Sequence, residues 1–428
     1  MPTFDRFGDQ LARVRDLVTL SGNATGKTRG GRPVNSTDMR RAAVVLLLAL
    51  IPAAGSAQTA GDGSGKPRAR ALGIRFDGTP GALNAITDVP GVTVGHTTLI
   101  RGDGALRVGE GPVRTGVTAI MPRGEHPEDP VFAGWFALNG NGEMTGTTWV
   151  EESGFLEGPI AITNTHSVGV VRDAIIAWQV ERNATFQPWS LPVVAETYDG
   201  YLNDINGFHV KPEHVFAALD GAADGAVAEG NVGGGTGMIC MGFKGGIGTS
   251  SRRLPDRAGG YTIGVLVQAN FGGGTQLRID GVAVGREFAR QNKTEVPFPE
   301  DNHPAGGGSI IIVIATDAPL LPHQLKRLAR RASLGVARVG GTSHNGSGDI
   351  FIAFSTANVG VASATPTAEA TMLSNSRITG VFEATVQATE EAIINAIIAA
   401  ETMVGRDSHR IEALPHDRLV EIMRRYGR

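Results

Sequence analysis

The stretch Gly306-Gly307-Gly308-Ser309-Ile310-Ile311-Ile312-Val313-Ile314-Ala315-Thr316-Asp317 carries a single serine from a glycine run into the first position of an apolar segment. Ile and Val bounded by turn residues read as a buried β-strand, and glycines just before it permit backbone geometries that other residues resist. The layout also suits a serine set free at a new N-terminus by cleavage of its own chain between Gly308 and Ser309. In that chemistry the freed α-amino group is the base that activates the hydroxyl, so no histidine is required. The plainer reading of the same residues is a glycine turn entering a core strand.

Upstream, Arg290 to Ala305 is mostly polar and broken by Pro297, Pro299 and Pro304, which predicts a long exposed loop just before the proposed cut. Such a loop lets new chain ends separate without disturbing the core, although an ordinary surface insertion looks the same. Downstream, Asn345-Gly346-Ser347-Gly348-Asp349 resembles a nucleophile elbow, but Asn345 and Asp349 stand where the outer glycines of G-x-S-x-G belong. If 347–349 opens the next strand, Ser347 and Asp349 project from one face as a polar pair beside the apolar run from Ile350 to Phe354. Taken alone, that pair reads as a turn or strand cap.

Strand-like runs occur at 92–94, 117–121, 159–163, 192–195, 262–269, 309–315 and 350–355, separated by Gly, Pro, Asn and Asp. Helical spacing appears from Ser167 to Val180 and from Leu321 to Ala332, the latter with Pro322 in the first turn. A long helix is predicted around Phe382 to Val404, stopped by Gly405. With 428 residues, 41% hydrophobic and 19% charged, the chain is large enough for one big domain or two small ones. Its 60 glycines carry no collagen period and read as turns and close backbone approaches. A net charge of −3 without a long basic block leaves no electrostatic footprint for nucleic acid.

Met39-Arg40-Arg41, the apolar run Ala42 to Ile51 and Pro52-Ala53-Ala54-Gly55-Ser56-Ala57 have the three regions of a secretory signal, with cleavage expected after Ala57. The apolar core is short for a membrane span, so no stable membrane anchor is expected and the periplasm or the exterior is the expected location. Residues 1–38 form a polar extension, which is unusual before a signal: either translation starts at Met39 or the extension masks the signal. Residues 58–72 read as a flexible lead-in, with the folded part starting near Ile74. The lone Cys240 cannot form an internal disulfide and reads as a small buried hydrophobe.

Gly233-Gly234-Gly235-Thr236-Gly237 invites a phosphate-loop reading, but Phe243 stands where the lysine is needed and Gly245 follows Lys244 in place of Ser or Thr. No clean G-x-G-x-x-G is present either, so no nucleotide cofactor is expected. The histidines, among them His96, His166, His209, His303, His323 and His344, lack ligand spacing, so no metal is expected. Glu196 and Tyr198 alternate onto one side if that segment is extended, following the apolar Pro192-Val193-Val194-Ala195. Singly they read as a solvated carboxylate and a half-buried phenol. Asn270, at the end of Val265 to Ala269, reads alone as a turn cap.

Several segments, in order, resemble the DmpA-type aminopeptidases (L-aminopeptidase D-amidase/esterase and the bacterial β-peptidyl aminopeptidases). They are Ile86 to His96, Leu138-Asn139-Gly140-Asn141-Gly142-Glu143-Met144-Thr145-Gly146, Glu196-Thr197-Tyr198-Asp199-Gly200, Gly230 to Gly237, Lys244 to Thr249, Gly308-Ser309 and Asn345 to Asp349. The resemblance covers roughly 70–405. It implies an α+β fold of the DmpA and ornithine acetyltransferase-like type, an α-β-β-α sandwich self-cleaved into an α part, 73–308, and a β part, 309–428. It also implies a homo-oligomer, a tetramer, whose two fragments stay associated. By the same resemblance Ser309 is the nucleophile, Ser347 and Asp349 support its amine and hydroxyl, Asn270 is an oxyanion donor, Tyr198 lies near the reacting carbonyl and Glu196 holds the substrate ammonium. The implied activity is removal of N-terminal residues, with β-amino and D-amino residues among the candidates, from short peptides, aminoacyl amides or esters. Hydrolysis of ω-amino-acid oligomer amides and a non-catalytic peptide-binding role are the alternatives.

Overall fold

In the computed structural model, which describes residues 66–124, 126–292, 308–363 and 365–428, the glycine-led run is a strand, Gly308–Thr316, with every residue buried. Before it in the chain come β1 (Thr93–Arg101), β2 (Val113–Met121), β3 (Val131–Ala137), β4 (Phe155–Leu156), β5 (Ile160–Asn164) and β6 (Val193–Thr197). These are followed by β7 (Ile239–Cys240), β8 (Phe243–Lys244), β9 (Gly246–Arg253) and β10 (Thr262–Asn270); Gly308–Thr316 is β11, and β12 is Ser347–Ser355. The helices are α1 (Thr147–Ser153), α2 (Val168–Glu181), α3 (Pro212–Asp220), α4 (Val284–Asn292), α5 (Pro322–Arg338), α6 (Thr379–Ile398) and α7 (His416–Arg425).

The two large sheets are ordered β1-β2-β5-β6 and β4-β3-β12-β11-β10-β9, and two further two-stranded sheets are formed by β7 with β8 and by Met403–Val404 with Arg410–Ile411. Strand alternation divides the core into layers. Ile311, Val313 and Ala315 of β11 pack with Ile350, Ile352 and Phe354 of β12 against Ile120, Ile160, Ile162 and Ala195 of the facing sheet. Ile310, Ile312 and Ile314 point the other way, onto Leu325, Leu328 and Ala332 of α5 and Ala388, Ala392 and Ile393 of α6. On the outside of the four-stranded sheet, Val117, Ala119 and Val194 are covered by Val171, Ile175 and Trp178 of α2 and by Val215 and Leu219 of α3. The order helix, sheet, sheet, helix is the expected α-β-β-α sandwich. Each Ile or Val buried on β11 contributes roughly 1.5–3 kcal/mol.

Each strand-like run predicted from the sequence lies on or overlaps an observed strand, with β1 running on to Arg101 and α5 to Arg338, and three further boundaries change. The helix expected to run to Val404 ends at Ile398, and Gly405 lies beyond it, where an added Cβ would sit 2.2 Å from the Leu202 carbonyl oxygen. Within the lead-in assigned to 58–72, residues 66–72 are packed. Ala69 is fully buried in a 3₁₀ turn, Arg68 pairs with buried Glu229 at 2.7 Å, and Arg70 pairs with Glu391 at 2.7 Å. The polar composition of this segment serves buried ion pairs, so the folded part starts earlier than Ile74. Arg290, placed in the predicted loop, still belongs to α4; the loop from 293, the polar extension and the 39–57 signal segment lie outside the described residues. Among the described residues no helix is long and apolar enough to cross a membrane.

Candidate active site

Ser309 is the second residue of β11, held on both sides: opposite Asn270 of β10 and beside Gly348 of β12. Alternation puts it on the same face as Ile311 and Val313, toward the other sheet, and it is 7% exposed. Its Oγ accepts the Gly348 N–H at 3.1 Å. Gly308, immediately before it, has φ +135°, and an added Cβ there would lie 2.3 Å from the Asn270 carbonyl oxygen. Only glycine fits that step.

Ser347 and Asp349 do open β12 and do bond to each other, Ser347 Oγ donating to Asp349 Oδ1 at 2.6 Å. Burial raises the Asp349 carboxyl above its ordinary range, an effect that Ser347, Ser343 and the Ile310 N–H moderate. Asp349 Oδ2 is buried with no hydrogen bond closed on it. The hydroxyl of Ser309 finds its partner in the Gly348 amide between the two, a backbone group that no side-chain pattern could announce.

Asn270 is fixed in orientation by two backbone groups of opposite polarity: its Oδ1 accepts Ile239 N–H at 2.8 Å and its Nδ2 donates to the Tyr198 carbonyl at 3.0 Å. One Nδ2 proton is left for another acceptor. Tyr198 thus enters the cluster through its backbone, while its phenol folds back over Gly200, where an added Cβ would meet Oη at 2.4 Å. Burial raises that phenol's pKa, partly offset by Arg406. Nearby, Gln268 Nε2 ties the two sheets by donating to the Thr163 carbonyl and to Thr197 Oγ1, each at 2.9 Å.

Glu196 is 3% exposed at the end of β6. Its Oε1 accepts the Glu143 N–H at 3.0 Å and its Oε2 accepts the Thr165 hydroxyl. Burial raises its pKa, only partly countered by these bonds and by His166. Among the described residues no lysine or arginine forms an ion pair with it, unlike the buried Glu229 and Glu391. A buried carboxyl without a cation is pushed toward its neutral form, and a cation entering the site would restore its charge.

One segment joins these parts. Asn139 exchanges backbone bonds with Asp349 of β12 and Asn141 N–H donates to the Ser347 carbonyl at 3.2 Å, while Thr145 N–H donates to the Val194 carbonyl of β6 at 2.9 Å. The glycine-rich motif from Leu138 to Gly146 is therefore a strap from one sheet to the other, tied to Ser347 at one end and to Glu196 and Val194 at the other. Its repeated Asn-Gly pattern was the visible signal; its bridging role was not.

The sequence profile of Peptidase family S58 matches residues 84–411. The chain belongs to that family. It is 55% identical over 369 residues to the β-peptidyl aminopeptidase BapA of Sphingosinicella microcystinivorans, spanning 85% of this chain and 93% of the relative. Among solved structures it resembles a β-aminopeptidase from Burkholderia sp., with a TM-score of 0.78, 51% identity, and 85% of this chain and 99% of the other covered. It also resembles the L-aminopeptidase D-Ala-esterase/amidase of Ochrobactrum anthropi, described as a prototype serine aminopeptidase with a variant of the Ntn hydrolase fold, with a TM-score of 0.77, 48% identity, and 85% and 99% covered. This S58 chain accordingly has the Ntn-type α+β fold and is a peptide-bond hydrolase of the aminopeptidase class.

Proposed function

We propose that this S58 peptidase processes itself at Gly308–Ser309 and then removes N-terminal β-amino residues from short peptides and amides. The observation that carries the reading is Ser309 at the head of β11, its Oγ on the Gly348 amide, with Asn270 opposite. Ser309 Oγ adds to the Gly308 carbonyl, the Gly308–Ser309 amide C–N bond breaks as the acyl group moves from nitrogen to oxygen, and water hydrolyses the resulting ester. Residues up to 308 end in a carboxylate and Ser309 gains a free α-amine.

That amine has an ordinary pKa of roughly 7.7–8.0, so it can take the hydroxyl proton near neutral pH. The amine would be oriented by Asp349 through its unpartnered Oδ2, with Ser347 holding Oδ1. The free Nδ2 proton of Asn270 would meet the oxyanion, a contribution of about 3 kcal/mol for one donor. The carboxylate of Glu196 would hold the substrate ammonium, which makes the enzyme an aminopeptidase. Tyr198 would shape the pocket near the reacting carbonyl. The two fragments would stay together, as a homo-oligomer, and export through 39–57 would place the enzyme in the periplasm or outside the cell. The β-amino preference is supported by the names of the 55% and 51% identical relatives.

Mass spectrometry of the purified protein should find a fragment beginning at Ser309, absent in Ser309→Ala. A panel of β-, α- and D-aminoacyl amides then ranks substrates, with the β-aminoacyl amide turned over fastest. Cleavage of the Ser309→Ala chain at the same bond in a protease-free preparation overturns self-processing. A preference for α-aminoacyl amides overturns the substrate class.

A further inference from the structure

A lysine that takes no part in the reaction as drawn is connected to Asn270 through a single peptide group. Lys244, on β8, is fully buried. Its ammonium donates to the Met238 and Gly245 carbonyls, both at 2.8 Å, and to the Gly235 carbonyl at 3.4 Å. The titratable groups that act on it are Cys240 and Lys66. Glu412 meets it only through the backbone, its carbonyl accepting the Lys244 N–H, while its carboxylate is held by Arg410 and Thr402. A buried cation held by carbonyls alone is costly to keep, and a methionine would fill the space without that cost.

The Met238 carbonyl that receives Lys244 belongs to the same peptide group as the Ile239 N–H, and that N–H donates to Asn270 Oδ1. Two amides thus lie in series between the ammonium and the Nδ2 protons of Asn270. Hydrogen bonds in a chain polarise one another, most strongly where water is excluded.

We propose that Lys244 is a positioning residue for acyl transfer: by drawing on the Met238 carbonyl it locks and polarises the Met238–Ile239 peptide and, through it, the Asn270 amide that faces Ser309. This rests on the reading of Asn270 as the oxyanion donor. Burial pushes the Lys244 ammonium down to about 7, so its charge is lost as pH rises through neutrality. The Ser309 α-amine acts with the opposite sign, since it must lose its proton to work. Lys244 therefore supplies a falling alkaline limb to kcat. Asp199, pushed up to about 7 by burial in the 196–200 segment, titrates in the same range, so a variant has to separate the two.

The test is Lys244→Met, assayed on a β-aminoacyl amide. Expected are a kcat lower by about 10- to 100-fold, a KM within about threefold, slower self-cleavage, and loss of the falling limb, which Asp199→Asn retains. A folded Lys244→Met enzyme with unchanged kcat and an unchanged alkaline limb overturns the proposal. Asn270→Ala keeps the two readings apart. If Asn270→Ala leaves kcat within threefold, the oxyanion assignment falls and the Lys244 proposal with it. If it costs a hundredfold while Lys244→Met costs nothing, only the Lys244 proposal falls. Should Lys244→Met fail to fold, ¹⁵N-lysine NMR of the unaltered enzyme decides. The Lys244 Nζ midpoint must coincide with the falling limb of kcat, and a separation of more than about one pH unit overturns the coupling.

Discussion

Glu196 and Gly348 lie on either side of one missing methyl group. A Cβ added to Gly142 would be 3.3 Å from Glu196 Oε1 and 3.1 Å from Gly348 Cα. The carboxylate proposed to seat the substrate amine and the residue whose N–H holds the proposed nucleophile are therefore spaced by the bare backbone of the 138–146 strap. A branched side chain at Gly142 should push the two apart. Gly142→Val is expected to lower kcat/KM by about a hundredfold, since small misplacements of a positioned group are costly in rate. Thermal unfolding should move far less than activity; an active Gly142→Val enzyme would remove the strap from the mechanism.

If Glu196 anchors the substrate ammonium, acetylating the substrate should cost on the order of 30-fold or more in kcat/KM, because a buried carboxylate loses its partner at a cost of about 2–5 kcal/mol. Glu196→Gln should blunt that discrimination and leave self-cleavage largely intact, since the Gly308–Ser309 bond presents no amine. The pH dependence has a definite sign. Burial raises the Glu196 carboxyl, so the anchor neutralises as pH falls through that raised value, and KM for free-amine substrates should climb on the acid side. Equal hydrolysis of free and acetylated amides by the unaltered enzyme would end the anchor assignment.

Removing the charge of Asp349 tests the support of the new N-terminus. Asp349→Asn should keep the Ser347 contact while losing the carboxylate, lowering kcat by roughly a hundredfold with KM little changed, within the range of a lost acid–base partner. Steady-state kinetics on the mature enzyme reads this directly. Unchanged kcat would assign Ser347 and Asp349 to strand capping alone.

Stability away from the site should hinge on Glu391. It is fully buried and receives Arg70 and Arg252, each at 2.7 Å, and Asn84 at 2.6 Å. Burial alone would raise its carboxyl, yet the two guanidiniums hold it below the ordinary range. Glu391→Ala leaves both cations uncompensated and should cost about 3–5 kcal/mol of folding free energy. Because the folded pKa is depressed, the stability from this group is complete above the ordinary carboxyl range and is lost as pH falls through the folded value. Denaturant unfolding of Glu391→Gln at pH 7 and again at lower pH should show a gap to the unaltered protein that narrows with acidity.

The architecture was legible wherever apolar periodicity ran unbroken: β10, β11, β12 and helices α2 and α5 stand close to where the sequence puts them. What escaped was polarity turned inward. Strand β9 reads Gly-Ile-Gly-Thr-Ser-Ser-Arg-Arg and looks like a surface loop, yet all but its last residue is buried. Ser250 bonds the Ala388 carbonyl and Arg252 bonds Glu391, so its polar groups are satisfied by α6 instead of water. Ser309 can be proposed from its own segment, whereas Ser347, Asp349 and Asn270 are named through the family resemblance, since each alone reads as a cap. The Gly348 amide, the Thr165 hydroxyl on Glu196 and the carbonyl cage of Lys244 depend on which groups the fold brings together across the chain, and no spacing in the sequence records that.

The position of β11 and β12 within the six-stranded sheet fixes what the proposed cut does to the thermodynamics. The order β4-β3-β12-β11-β10-β9 places β11 and β12, the two strands that the 309–428 part gives this sheet, between strands of the earlier part. After scission the shorter polypeptide is a keystone, wedged into a sheet whose two flanks belong to the other molecule. Before the cut, folding is unimolecular; afterwards, recovery from the unfolded state is an encounter between two chains and depends on their concentration. The mature enzyme's persistence then becomes a matter of how slowly the sheet opens and no longer of how readily it reforms.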